Sequence, residues 1–141
     1  MITKEKWTEI EAELRYDFAR VTFKLHDHLI EVFRQYAGEG RTDLNVYVDG
    51  KISFAWMRAD NAMHPLITQI WGAESKAKYS TKFIKSVEKI WGKRAAKKDY
   101  PDLRDRIVFY VPRFKKASVL VRKYKKIAGL ELISIGGAVY D

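Results

Sequence analysis

Residues 20–36 are RVTFKLHDHLIEVFRQY, and this stretch decides the fold class. Val21, Phe23 and Leu25 alternate with polar residues in a first run, and a second predicted strand runs from Leu29 to Tyr36. Alternation with a period of two is typical of half-buried strands. A two-residue turn between the runs places Phe23 opposite Ile30 and puts the apolar side chains of both strands on one face. Because a shift by one residue would reverse the faces, we predict this antiparallel register.

A second hairpin is indicated at Asp49-Gly50, which separates residues 44–48 from residues 51–57. An Asp-Gly pair favours the tight turn in which both central residues have positive φ. The expected result is a four-stranded antiparallel meander. In this hairpin Tyr47 of the third strand would lie opposite Ile52 of the fourth, and one face of the sheet would carry Tyr47, Ile52, Phe54 and Trp56. Such aromatics form a core beneath a helix or stack on bases, and core packing is the favoured interpretation.

Helices are predicted before and after this meander. Thr3 is a suitable N-cap for a short helix that ends near Arg15, and residues 61–71 suggest another short helix, followed by a loop over residues 72–79. Ser80 or Thr81 begins the clearest helix. Its apolar stripe is predicted to pack on the aromatic sheet face and to bury Trp91, and it comprises Phe83, Ile84, Val87, Ile90 and Trp91. Gly92 weakens this helix without necessarily ending it.

The C-terminal part is expected to form a buried strand over residues 107–111, a helix beginning at Pro112 and a strand over residues 130–135. Gly129 is a suitable helix terminator. We therefore predict an α+β fold with a mainly antiparallel sheet, consisting of the four-stranded meander and C-terminal strands, packed with three to four helices. The length of 141 residues favours a single domain spanning residues 1–141.

Positive charge is concentrated in one part of the chain. Residues 76–126 contain 18 Lys and Arg against four Asp and Glu, a net charge of +14 in a chain whose total is +9. A concentrated positive field attracts polyanions and is the usual feature of phosphate-binding surfaces. The alternative is a lysine-rich surface that only maintains solubility.

Two groups of basic residues are the predicted nucleic-acid contacts. Lysines of the helix that begins at Ser80 or Thr81 lie opposite its apolar stripe, and further cations surround the apolar stripe of the last helix. The full set is Lys82, Lys85, Lys89, Lys93, Arg94, Lys97, Arg113, Lys115, Lys116, Arg122, Lys123 and Lys126. Tyr79, Tyr100, Tyr110 and Tyr124 lie in the same basic stretch and are candidate aromatic contacts.

No catalytic or metal-binding motif is evident. There is no cysteine, which excludes disulfides, thiolate zinc sites and cysteine nucleophiles. His26-Asp27-His28 is one conceivable metal site, but a turn at this point is the favoured interpretation. Asp99, Asp102 and Asp105 are more consistent with loop charges than with a magnesium-dependent nuclease. We therefore expect no cofactor, no metal and no enzymatic activity.

Three segments resemble small uncharacterised proteins encoded by phages and prophages. They are Val48-Asp49-Gly50-Lys51 with Phe54 and Trp56, the basic run GKRAAKK at residues 92–98, and ELISIG at residues 131–136. The resemblance is in order and spacing, extends loosely over most of the chain, and implies a phage-encoded accessory protein without a defined activity.

Taken together, these features predict a small basic accessory protein that binds nucleic acid through phosphates, without strong sequence readout. The alternative is a protein-binding inhibitor or adaptor, for example an anti-defence factor, that binds an acidic surface of a host nucleoprotein complex. No apolar run follows Met1 and no stretch of about 18 apolar residues occurs, so we expect a cytoplasmic protein without a membrane partner.

Overall fold

The computed structural model describes residues 1–139. Its helices and strands confirm the predicted α+β class with a mainly antiparallel sheet. In chain order they are α1 (Lys4–Leu14), β1 (Arg20–Leu25), β2 (His28–Gly38), β3 (Arg41–Val48), a 3-10 helix (Phe54–Met57), α2 (His64–Ile70), β4 (Gly72–Ala77), α3 (Thr81–Trp91), α4 (Lys93–Asp99), β5 (Arg106–Val111), β6 (Arg113–Phe114), α5 (Ala117–Tyr124), β7 (Glu131–Ile135) and β8 (Ala138–Val139).

The chain forms two compact units. The first, called the sheet unit, comprises Met1–Gly72 and the described chain from Tyr110 onward. The second, called the basic unit, comprises Ala73–Phe109 and contains α3 and α4. The sequence did not predict this division. That the whole chain behaves as a single domain stays a prediction.

In the sheet unit, six strands are arranged in the order β6-β3-β2-β1-β7-β8 and every neighbouring pair is antiparallel. The predicted register of the first hairpin is confirmed, because Phe23 pairs with Ile30 and Leu25 pairs with His28. The turn between them places His26 at φ 55°. The alternating pattern therefore determined both the pairing and the buried face.

Helices α1, α2 and α5 cover the apolar face of this sheet. Trp7 on α1 stacks on Phe23 with 6.1 Å between ring centroids, and Tyr124 on α5 meets Phe23 edge-on at 5.4 Å. Helix α1 begins as predicted, because the Thr3 side chain accepts a hydrogen bond from the Lys6 backbone N–H. Fully buried Ile67 and Ile70 fix α2 in the same core.

The predicted fourth strand of the meander is wrong. After an isolated bridge between Val48 and Lys51, the chain turns into the 3-10 helix. The edge of β3 is instead occupied by β6, because Leu44 pairs with Phe114 and Asn45 with Arg113. A competing strand more than 60 positions later in the chain therefore takes the place that the local Asp-Gly pattern suggested.

The expected aromatic face is consequently wrong as well. Trp56 is buried and its ring lies 6.1 Å from that of Trp71, so it belongs to the core. Phe54 is 69% exposed. Tyr47 lies on a different surface, where its ring meets Phe33 edge-on and its hydroxyl donates a 2.8 Å hydrogen bond to Gln35 Oε1.

Three further expectations need correction. The predicted loop over residues 72–79 contains β4, which pairs with β5 in a separate two-stranded sheet. Much of β5 is exposed rather than buried, because a two-stranded ribbon satisfies its inner backbone groups but leaves residues such as Val108 uncovered. The last helix begins at Ala117 and not at Pro112, since β6 intervenes.

The basic unit has a small core of its own, formed by Val87, Ala96 and Leu103. Ser80 caps α3 as predicted, accepting a 3.1 Å hydrogen bond from the Phe83 backbone N–H. Gly92 ends the helix, because its backbone (φ 79°, ψ 157°) lies in a region that only glycine adopts readily.

The predicted burial of Trp91 is wrong. Trp91 is 61% exposed and Ile90 is 73% exposed, although both belong to the apolar stripe of α3. Periodicity identified the stripe, but only Val87 within it is buried.

Candidate nucleic-acid interface

The twelve predicted basic residues divide equally between the two units. The basic unit carries Lys82, Lys85, Lys89, Lys93, Arg94 and Lys97, whereas the sheet unit carries Arg113, Lys115, Lys116, Arg122, Lys123 and Lys126. Eleven of them are exposed, and Lys123 is half-buried. The predicted contact residues therefore lie on two surfaces, one in each unit.

One face of α3, which we call the α3 lysine face, is formed by Lys82, Lys85 and Lys89. At 100° per residue these three lie within about 60° of each other and opposite the buried Val87. Together with Thr81 and Ser86 they line a shallow depression of the surface. Within residues 1–139 no carboxylate pairs with any of the three ammonium groups. The α3 lysine face is thus an uncompensated cluster of three positive charges.

Lys93 is not part of that face, because Gly92 separates α3 from α4. It lies one helical turn from Lys97, and both line a groove with a cavity volume of about 350 Å³. The other cation of this groove, Arg104, donates a 2.8 Å hydrogen bond to Glu88 and neutralises it. Neither Lys93 nor Lys97 has a carboxylate partner in the part of the chain that the structure describes.

Asp102 is an acidic residue of the basic unit that pairs with side chains of the same unit. Asp102 accepts hydrogen bonds from the ammonium of Lys78 and, at 3.4 Å, from the hydroxyl of Tyr79. The hydrogen bond from Lys78 is the main cause that lowers the pKa of Asp102. Asp102 and Asp105 lie in the loop between α4 and β5, as predicted, whereas Asp99 is the last residue of α4, so the loop position predicted for Asp99 is wrong. Among residues 1–139 there is no group of three side chains suited to hold a metal ion.

His26 and His28, the two histidines of the conceivable metal site, have structural positions at the β1–β2 turn. His26 lies in the β1–β2 turn, as favoured from the sequence. His28 Nδ1 lies 2.7 Å from Asp49 Oδ2, and the other oxygen of Asp49 accepts a hydrogen bond from the Leu29 backbone N–H. The hydrogen bond to His28 is the main cause that lowers the pKa of Asp49. This pair fastens the β1–β2 turn to the β3 end.

Three aromatic side chains of the basic unit form one cluster. Tyr79 stacks on Phe83 with 5.0 Å between centroids, and Tyr100 meets both rings edge-on. The indole of Trp91 lies outside the cluster, and no ring or cation of residues 1–139 contacts it. Trp91 was not among the predicted contact residues, because its place in the apolar stripe of α3 predicted burial.

In the sheet unit the predicted cations have different roles. Lys115, Lys116, Arg122 and Lys126 are exposed around α5. Arg113 Nε lies 4.0 Å from Asp43 Oδ2.

Lys123 is directed inward. Its ammonium donates to the Trp71 carbonyl oxygen and lies 5.1 Å from the centroid of the Tyr110 ring, while burial lowers its pKa. Of the tyrosines proposed as contacts, Tyr124 is fully buried and Tyr110 is half-buried beneath Lys123. Neither Tyr110 nor Tyr124 is therefore exposed beside the cations on the surface of the sheet unit.

Comparison of the chain with protein-family models, with curated protein sequences and with solved structures gives no match. Within the described residues 1–139, no helix has the length and apolar character needed to cross a membrane. The chemistry of the two basic surfaces is therefore the basis for proposing a function.

Proposed function

We propose that the protein binds nucleic acid through its phosphates, with the basic unit as the main contact. The observation that carries this proposal is the uncompensated charge of the α3 lysine face. Lys82, Lys85 and Lys89 lie on one side of one helix, exposed and without a carboxylate partner among the described residues. Three such ammonium groups match the repeated single charges of a phosphate backbone.

Two carboxylates near the α3 lysine face in sequence are neutralised by other cations, which supports phosphate binding by the lysines. Glu88 and Asp102 pair with Arg104 and Lys78, so these two carboxylates are already neutralised within the basic unit and do not offset the α3 lysine face. Ammonium groups that already have a carboxylate partner gain little from a phosphate, whereas unpaired ones release bound counterions when a polyanion binds. Affinity should then fall steeply as salt is added.

Strong sequence readout is not part of the proposal. Phosphate contacts position a protein on nucleic acid but carry no base information. The short helices α3 and α4 present lysines, which act as point charges, and not a row of amide or guanidinium groups suited to bidentate base contacts. We therefore propose a non-enzymatic, cytoplasmic accessory protein, of the kind that the resemblance to phage-encoded proteins implies.

A second candidate function is binding to an acidic protein surface, as an inhibitor or adaptor. The exposure of Ile90 and Trp91 favours it, because adjacent uncovered apolar side chains are common at protein interfaces. The α3 lysine face would then pair with carboxylates of the partner.

The test is direct binding of the purified protein to labelled duplex DNA, single-stranded DNA and RNA, each at two salt concentrations. We expect binding to all three and a marked loss of affinity at the higher salt concentration. Affinity that is independent of salt would contradict the proposal. A stoichiometric protein partner that stays bound in host lysate after nuclease treatment would support the second candidate.

A further inference from the structure

We propose that the indole of Trp91 stacks on an unpaired base, so that single-stranded nucleic acid is the preferred ligand of the basic unit. This inference rests on the proposed function and deepens it. Phosphate contacts alone do not distinguish one strand from two, whereas an aromatic ring that requires an accessible base face does.

Trp91 differs from the other tryptophans of the chain. Trp7 and Trp56 are each 8% exposed and Trp71 is fully buried, all three in the core of the sheet unit. Trp91 is 61% exposed, and its ring makes no contact with another ring or cation among residues 1–139. Tryptophan is a residue that folding normally covers to a large extent, so an uncovered indole indicates a surface that a partner completes.

The local backbone explains why the basic unit leaves most of Trp91 exposed. Trp91 is the last residue of α3, and the chain leaves the helix through the extended, positive-φ conformation of Gly92. Only Val87 of the α3 stripe is buried, in the small core with Ala96 and Leu103. That core does not include the last two residues of the helix, so Ile90 and Trp91 stay exposed.

Cations follow Trp91 closely along the chain. Lys93 is two residues after Trp91, so their Cα atoms are at most about 7 Å apart. Arg94 and Lys97 follow on α4, and all three are exposed. This charge complements a phosphate backbone and not an apolar partner, which is the reason for assigning the exposed ring to a base.

A single strand fits this arrangement better than a duplex. In a duplex both faces of each base are covered by its neighbours, so an approaching ring meets only base edges or must separate a stacked step. In a single strand the base faces are accessible, and stacking on them tolerates any sequence because every base has a π face. This agrees with binding that lacks strong sequence readout.

The experiment compares three labelled ligands of equal length by fluorescence anisotropy: single-stranded DNA, the corresponding duplex, and an abasic strand that keeps its phosphates but has no bases. The full chain is used throughout. For the unaltered protein we expect tighter binding to single-stranded DNA than to the abasic strand. Trp91→Ala should weaken binding to single-stranded DNA by about 5- to 150-fold and leave binding to the abasic strand unchanged.

Two control variants isolate the aromatic ring. Trp91→Phe keeps a π face and should retain most of the affinity. Ile90→Ala removes the neighbouring exposed apolar side chain without removing a ring and should leave affinity for single-stranded DNA unchanged. Thermal melting checks that all variants fold. The unaltered protein should also lose tryptophan emission on binding, and Trp91→Phe should lose less.

Other results would reject base stacking by Trp91, and they show whether phosphate binding is rejected with it. Equal affinity for single-stranded and abasic DNA, both weakened by replacing Lys93 and Lys97 with Gln, would leave the proposed phosphate binding in place and reject stacking. Equal weakening of both ligands by Trp91→Ala would also reject stacking. Absence of binding to any of the three ligands rejects both proposals. Binding to polyglutamate that Trp91→Ala weakens would assign the ring to a protein partner.

Discussion

The ammonium group of Lys123 donates a hydrogen bond to the main-chain carbonyl oxygen of Trp71, 52 residues earlier in the chain. This bond ties α5 to the residue that follows α2, next to the hydrogen bond that the Tyr124 hydroxyl donates to the carbonyl oxygen of Ile70. Two consecutive side chains of α5 therefore satisfy two consecutive carbonyl groups at the C-terminal end of α2. A helix end otherwise leaves such groups without intrahelical partners.

The first prediction concerns Lys123. Lys123→Met should destabilise the protein by about 1–2 kcal/mol, because the Trp71 carbonyl loses its charged donor and the Tyr110 ring loses its cation. Lys126→Met is the matched control on the exposed surface nearby and should change stability by no more than about 0.5 kcal/mol. Chemical denaturation measures both. Equal effects of the two substitutions would contradict the structural role of Lys123.

The second prediction concerns Tyr124, which is fully buried and donates a 2.6 Å hydrogen bond to Ile70. Tyr124→Phe keeps the ring and should cost about 1–2 kcal/mol, because it leaves a buried carbonyl unpaired.

Burial also raises the pKa of the Tyr124 hydroxyl well above its ordinary value near 10. The folded state therefore disfavours the ionised phenolate, and the contribution of this group to stability is complete below about pH 10 and is lost as the pH rises further. Denaturation at pH 8 and pH 11 should show a larger decrease for the unaltered protein than for Tyr124→Phe. The same decrease in both proteins would contradict the prediction.

Local patterns predicted those parts of the fold that depend on neighbours in sequence. The β1–β2 register follows from the apolar pattern, because this pairing puts Ile30 and Val32 on the same face as Phe23. The N-caps Thr3 and Ser80 follow from local hydrogen bonding. The α3 lysine face follows from helical periodicity alone.

The errors arise where distant segments compete. The Asp49-Gly50 pair does form a turn, yet no fourth strand follows because β6 occupies the edge of β3. The inward orientation of Lys123 depends on Trp71. Nothing in the local sequence distinguishes Lys123 from the exposed Lys126. Periodicity likewise shows which face of α3 is apolar, but it does not show that the part near Trp91 stays uncovered.

The third prediction concerns the close approach of Gly72 and Arg113. A Cβ atom at Gly72 would lie 2.4 Å from the main-chain carbonyl oxygen of Arg113, so the backbone itself would have to move. Gly72→Ala should therefore destabilise the sheet unit by about 1–3 kcal/mol. Gly137→Ala is the control, because a Cβ there meets no atom within 4 Å. Its stability should be unchanged or slightly higher, since alanine restricts the unfolded chain. Equal melting temperatures for the two variants would contradict the close approach.

The last prediction separates a specific lysine surface from net charge. Replacing Lys82, Lys85 and Lys89 together by Gln removes the α3 lysine face but keeps side-chain length and helix propensity. If each ammonium meets one phosphate, the slope of log affinity against log salt should become shallower by about 2.7 for duplex DNA and by about 2.1 for a single strand. Stability should change little, because all three side chains are exposed.

The matched control removes three equally exposed lysines of the sheet unit, Lys4, Lys24 and Lys51, by the same substitution. It lowers the net charge by the same amount, so an effect of overall charge would appear equally in both triple variants. A local phosphate contact reduces the salt slope only in the α3 variant. Weakening by that variant should also be similar for unrelated DNA sequences, because phosphates carry no base information. An unchanged slope in a folded α3 variant would place the contact elsewhere, and Lys115, Lys116, Arg122 and Lys126 would then be the residues to replace.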